Sequence, residues 1–276
     1  MASAVIGAII RRAATSNPLK NLPPRPYRLQ RAVAMGDRAI IRSSRRAKYW
    51  SPMSDLAIDL QDVRLTLESD AGKVNILRGV DLALSAGETA SLVGPSGSGK
   101  SSLLLVTAGL EPATDGRVVV GGENLAGLDE DDRARFRRRR IGFVFQAFHL
   151  IPSMTALENV ATPLELAGRN DAAERARREL AAVGLADRAG HLPRQLSGGE
   201  QQRVAIARAF AGEADILLAD EPTGNLDGDT GESVIELMFE RARERAAALL
   251  LVTHDIELAG RCDRRFRMAD GLVEAA

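Results

Sequence analysis

The stretch Gly94-Pro95-Ser96-Gly97-Ser98-Gly99-Lys100-Ser101-Ser102 decides how the rest of this chain is read. It satisfies the pattern G-x-x-x-x-G-K-[ST]. It lies between a strand-like run, Thr89–Val93, and a helical stretch, Ser101–Ala108, which Gly109 is placed to end. Glycines let a backbone wrap closely around a phosphate with successive N–H groups pointing inward, and the positive end of the following helix adds to the attraction. Residues 94–102 are therefore expected to hold the phosphates of a nucleotide. Lys100 would reach the β- and γ-phosphates, and the Ser101 hydroxyl would ligate Mg²⁺.

Further along, Ile216-Leu217-Leu218-Ala219 reads as a buried strand that delivers two carboxylates, Asp220 and Glu221, at its end. With a phosphate loop upstream, Asp220 is expected to hold Mg²⁺ and Glu221 to accept a proton from an attacking water. Between the two motifs, Leu196-Ser197-Gly198-Gly199-Glu200-Gln201-Gln202-Arg203 opens a helix that runs through Val204–Phe210. Its free N–H groups and the Ser197 hydroxyl make a second anion cradle at a helix N-terminus. A single active site does not need both cradles. The economical reading is that Ser197, Gly198 and Gly199 serve a nucleotide held by another copy.

Around these motifs the pattern is α/β. Leu56–Leu60 and Val63–Leu67 alternate apolar and polar residues, the period of half-buried strands. Ile141–Phe145 and Ala248–Val252 join Ile216–Ala219 as apolar runs bounded by charge, which read as buried strands. From about 147 to 196 the strand signals disappear, and Glu174–Val183 is helical. The expectation is a sheet-based nucleotide domain with a mostly helical insertion, present once.

Composition sets the outer limits. The 276 residues are 45% hydrophobic, enough to bury a substantial core. The single cysteine, Cys262, excludes an intramolecular disulfide framework. No apolar run approaches the roughly 20 residues of a membrane-spanning helix, so no direct span is expected. The charges cancel, 37 basic against 37 acidic, which argues against a strongly basic nucleic-acid binder. The cancellation hides an asymmetry: residues 1–52 hold eleven basic residues and one acidic, while residues 53–276 hold 26 basic and 36 acidic. So abrupt a shift marks a boundary. Residues 1–52 read as a basic disordered leader or as residues upstream of the natural start at Met53. A targeting peptide and a tail on an anionic membrane surface are the other readings.

The motifs in their order resemble those of the ATP-binding subunits of ABC transporters, over essentially all of residues 55–276. That resemblance implies a P-loop NTPase cassette over 53–276, with a mainly parallel core sheet, a small antiparallel β subdomain and a helical subdomain at about 147–196. It implies ATP and Mg²⁺ as cofactors. Leu196–Arg203 would be the signature that closes over ATP bound to the opposite subunit of a head-to-tail dimer. Gln146, ending Gly142-Phe143-Val144-Phe145-Gln146, matches the glutamine that senses Mg²⁺ and water. Asn225-Leu226-Asp227 matches the loop at the dimer seam, and His254 the switch histidine that holds the γ-phosphate. The resemblance also implies an integral membrane permease as partner, and a peripheral place on the cytoplasmic face of the inner membrane. Phe148, Leu150, Ile151 and Met154 are candidates for the surface that docks on it, and read equally well as core of the helical insertion.

Arg140–Gln146, Leu150-Ile151-Pro152 and Glu158-Asn159-Val160 are similar to the group that contains lipoprotein-release, macrolide-export and cell-division ATPases. The group favours export or extraction of a hydrophobic substrate from the membrane. A non-transport ATPase that drives a membrane-bound regulatory or mechanical complex shares the same motifs and stays open. Ser101 to Leu196 is too short for the coiled coil of a DNA-repair relative, and the single cassette disfavours a translation-type one. One departure stands out: the family usually has an aromatic residue for the adenine near the end of the second strand, where this chain has Leu67. No Phe, Tyr or Trp occurs between Met53 and Phe136. Adenine selectivity is therefore expected to be modest.

Overall fold

The computed structural model describes residues 56–69 and 72–276, and the readings made for residues 1–52 lie outside them. The chain begins with β1 (Leu56–Ser69), β2 (Gly72–Ser85) and β3 (Thr89–Val93), then α1 (Lys100–Thr107), β4 (Asp115–Val120), β5 (Glu123–Asn124) and α2 (Glu130–Arg140). β6 (Ile141–Phe145), α3 (Ala156–Leu166), α4 (Ala172–Ala182) and α5 (Gly198–Ala211) follow. The last part is β7 (Ile216–Asp220), α6 (Gly228–Arg245), β8 (Ala248–Val252), α7 (Ile256–Ala259), β9 (Arg264–Ala269) and β10 (Leu272–Ala275).

Among the described residues the strands form two sheets. One has the order β10-β9-β3-β8-β7-β6 and is parallel except for the β9–β10 edge. The other, β2-β1-β4-β5, is antiparallel. Ile216–Ala219 of β7 and all of β8 are apolar because both of their faces are covered, as parallel sheets require. Ile216 and Leu218 of β7, with Ala248, Leu250 and Val252 of β8, enter one core together with α1 and the antiparallel sheet. Leu217, Ala219, Leu249 and Leu251 enter a second core with α3, α4, α5 and α6. Alternate residues of one strand thus belong to different cores.

The two short strands expected at Leu56–Leu60 and Val63–Leu67 are one continuous strand. Its register shifts between Leu60 and Val63, with Asp62 at φ 47°, so the alternation restarts after a bulge. β2 has its own irregularities opposite Val63–Arg64 and Leu65–Thr66, and its period is broken enough to hide it in the sequence. α3 begins with a capping box in which the Thr155 side chain and Glu158 bond each other's backbone N–H groups.

A buried ionic group ties the helical layer to the core. Glu179 of α4 accepts a 2.5 Å hydrogen bond from Arg241 and another from Arg245, both on α6, and the Arg241 guanidinium lies over the Phe210 ring. Removing one partner strands the others in a low-dielectric site. Glu179→Ala is expected to lower unfolding stability by about 3–5 kcal/mol, measured by urea titration. A loss below 1 kcal/mol would show that the group is solvated. No helix among the described residues is long and apolar enough to cross a membrane.

Candidate functional site

The phosphate loop connects β3 to α1, and contacts within the chain hold its shape. The Lys100 ammonium, nearly buried, donates to the Gly94 carbonyl at 2.8 Å and the Pro95 carbonyl at 2.9 Å. Gly99 precedes α1 at φ 107°, a conformation that an L side chain rarely adopts. Gly94 is required for a different reason: a Cβ there would come within 2.1 Å of the Met268 carbonyl oxygen. The β9–β10 turn thus presses on the loop from behind, and Gly271 N–H donates to the Ser98 carbonyl. The Ser98 hydroxyl is buried with no partner. A buried donor left unmade inside a cradle of N–H groups suits an anion.

Asp220 ends β7 beside this loop. The Ser101 hydroxyl bonds its carboxylate, yet burial dominates and pushes the Asp220 pKa up; Glu221 adds to the rise and Lys100 opposes it. Glu221 follows at φ 46°, in the left-handed region, with its N–H bonded to the Val252 carbonyl. Strain of this kind persists only where the surroundings over-determine it. Here it turns the Glu221 side chain toward His254, whose Nδ1 lies 2.6 Å from Glu221 Oε2. With the carboxylate ionised, Nδ1 carries the proton and donates. The pair brings a carboxylate and an imidazole together at the ends of neighbouring strands.

The Leu196–Arg203 motif forms the start of α5. Ser197 is its N-cap: the hydroxyl oxygen accepts from the Glu200 N–H at 3.2 Å, and Glu200 accepts from the Ser197 N–H at 2.8 Å. The hydroxyl proton stays available, as do the remaining first-turn N–H groups. Around Gly198 and Gly199 the nearest atoms come from Leu226, Asn225, Phe148 and Thr230, none of them from the phosphate loop. The chain therefore carries two separate cradles. Asp227 caps α6 by accepting from the Thr230 N–H, which lowers its pKa.

Gln146 is exposed just beyond β6. Its side chain packs against Gly224, where a Cβ would meet the amide at 2.6 Å, and Asn225 donates to the Gln146 carbonyl at 2.8 Å. A second support was not legible in the sequence. Arg208 of α5 donates to the carbonyls of His149 and Phe148, two consecutive residues with positive φ, and burial pushes its guanidinium down to about 10. Nothing in the local pattern around Arg208 separates it from the solvated arginines of this chain. Beyond it, the buried Asn159 closes the turn by bonds to Ile151, Met154 and Thr155. Of the expected docking residues, Ile151 is exposed, while Leu150 packs against the helical core. Arg208→Met is expected to cost about 2–3 kcal/mol in stability, since bonds from a charged donor are lost. Urea unfolding measures it, and an unchanged midpoint would mean that the carbonyls find other donors.

The chain belongs to the ABC transporter family: its residues 77–224 match the family model described as ABC transporter. Within that family it is an ATP-binding subunit that hydrolyses ATP and powers transport. It is 48% identical over 219 residues to the ABC transporter ATP-binding protein YbbA of Escherichia coli K12, covering 79% of this chain and 96% of that one. It is 50% identical over 221 residues to the lipoprotein-releasing system ATP-binding protein LolD of Maricaulis maris, with coverage of 79% and 96%. Among solved structures, the dimeric post-hydrolysis cassette MJ0796 bound to ADP and Pi superposes with a TM-score of 0.73 at 41% identity. That match covers 79% of this chain and 96% of the other.

Proposed function

We propose that two copies of this chain bind two ATP molecules head to tail, each nucleotide lying between Lys100 of one copy and Ser197–Gly199 of the other. The observation that carries the proposal is the presence of two anion cradles in one chain, with the neighbours of Gly198 and Gly199 drawn from Phe148 and the Asn225–Thr230 region rather than from the phosphate loop. The solved cassette MJ0796 is dimeric, which supports the same reading. ATP stabilises the closed pair because only that state supplies both cradles, and a ligand shifts an equilibrium through its differential affinity.

In the closed state Lys100 leaves the Gly94 and Pro95 carbonyls for the phosphates. Glu221 takes the proton of the attacking water, and His254 orients Glu221 and meets the γ-phosphate. Ser101, Asp220 and Gln146 offer the hard oxygen donors that suit Mg²⁺, and the Ser101–Asp220 bond already places two of them together. Bound there, Mg²⁺ would neutralise charge developing on the transferring phosphoryl group. Release of products opens the pair. The Gln146–Met154 segment, gripped by Arg208 and Asn225, passes that movement to an integral membrane permease on the cytoplasmic face of the inner membrane. The names of LolD and of the export protein PvdT support export, or extraction from the membrane, as the direction.

The test is complementation between two inactive variants. Lys100→Ala removes one cradle's cation, and Ser197→Arg fills the other. A mixed dimer regains one intact site only if each site is shared between chains. Each variant alone is expected to be inactive and the mixture to recover measurable ATP turnover; no recovery, with mixed dimers present, would overturn the head-to-tail arrangement.

A further inference from the structure

We propose that Gln202 is a positioning residue for ATP turnover: its buried side-chain amide fixes the junction of the Gln146–His149 segment and the Asn225 loop in the ATP-bound pair. This rests on the head-to-tail reading above and adds to it a residue that neither cradle uses. Gln202 of α5 is fully buried, and neither its Oε1 nor its Nε2 has a hydrogen-bond partner among the described residues. A buried polar group left unmade costs free energy, and native proteins hold few of them. The other buried side-chain amide among the described residues, Asn159, shows the usual outcome, with bonds to Ile151, Met154 and Thr155. Nor does the start of α5 need Gln202 for its own shape. Ser197 and Glu200 cap each other, and the Gln201 amide donates to the Leu196 carbonyl at 3.1 Å.

The place of Gln202 on the helix decides where its amide lies. Helical side chains lean toward the N-terminus, over the residues three and four positions earlier, which here are Gly199 and Gly198. A Cβ on Gly198 would lie 3.2 Å from Leu226 and 4.0 Å from both the Asn225 carbonyl oxygen and the Phe148 ring. One on Gly199 would lie 2.4 Å from Thr230. Gln202 thus sits under the point where the Phe148 segment meets the Asn225 loop, and there Asn225 donates to the Gln146 carbonyl at 2.8 Å. The same helix already grips this segment once, through the Arg208 bonds to the Phe148 and His149 carbonyls. Gln202 is a second hold whose bonds are still to be made. Unmade bonds raise the energy of the free chain, and bonds to the junction lower that of the pair, so both favour closure. Because α5 begins with the Ser197–Gly199 cradle, such a bond ties the cradle that meets one nucleotide to the Gln146 segment that serves the other.

The experiment is Gln202→Met in the full chain. Met is unbranched, fills the same space and leaves no polar group to satisfy. The melting temperature of the free protein is expected to rise by about 3–8 °C, because an unmade buried amide is removed. Calorimetric affinity for ATP, at chain concentrations too low for pairing, is expected to be unchanged. Turnover is expected to fall by about 5- to 50-fold in kcat, with the ATP-dependent pair weakened in sedimentation. A merely structural residue would not move stability and turnover in opposite directions. A melting temperature that falls or stays put would show the amide satisfied in the free chain and overturn the proposal, as would wild-type turnover in the variant. Absence of an ATP-dependent pair in the wild-type protein would instead remove the head-to-tail reading on which the role of Gln202 depends.

Discussion

Glu221→Gln is expected to lower ATP turnover by about 10²–10⁴-fold while ATP binding is retained and the ATP-bound pair becomes longer lived. The amide keeps the shape and volume of the carboxylate but cannot accept the proton of the attacking water. Because Gln is as strained as Glu at φ 46°, the backbone contribution is the same in both proteins and the comparison isolates the proton. Steady-state phosphate release gives the rate, and sedimentation with ATP gives the dimer lifetime. Near-normal turnover would remove Glu221 from its role and leave His254, 2.6 Å away, as the remaining base.

Lys100→Ala acts at the other end of the reaction. It is expected to weaken ATP by about 10- to 100-fold, since a bond from a charged donor is worth about 1.5–3 kcal/mol. The structure adds a second cost: without the ammonium, the Gly94 and Pro95 carbonyls lose their donor and the loop loses its resting shape. Titration calorimetry separates the two effects when ATP and inorganic triphosphate are compared with the melting temperature of the free protein. Unchanged affinity for both ligands would count against the loop as the phosphate site.

The parts of the site legible in the sequence are those fixed by local chemistry. Gly94–Ser101 is legible as a loop between a strand and a helix because its glycines and its lysine act within one turn of chain. Ser197 and Glu200 announce a helix start for the same reason, a capping box spanning four residues. The strands β6, β7 and β8 were visible as apolar runs bounded by charge. β2 was not, since two irregularities in its pairing reset the alternation that would have marked it. Nor did local pattern signal the contacts that complete the site from a distance: Met268 and Gly271 behind the phosphate loop, Arg208 on the Phe148 and His149 carbonyls, and Asn225 on Gln146. Each joins residues tens of positions or more apart, so no local window of sequence contains both partners.

The division of β7 between two cores has a further consequence for how the strand finds its place. Every residue from Ile216 to Ala219 is apolar and buried, so sliding the strand by one position would exchange the contents of the two cores with little change in hydrophobicity. What such a slip would change is Asp220, carried about 3.3 Å along the sheet and turned to the opposite face. Greasiness alone leaves this strand free to misalign. Charged residues flank it at both ends, Asp215 paired with Arg140 at the start of the neighbouring strand and Asp220 beside Ser101, so the residue expected to hold Mg²⁺ is also one of the two pegs that oppose a slip.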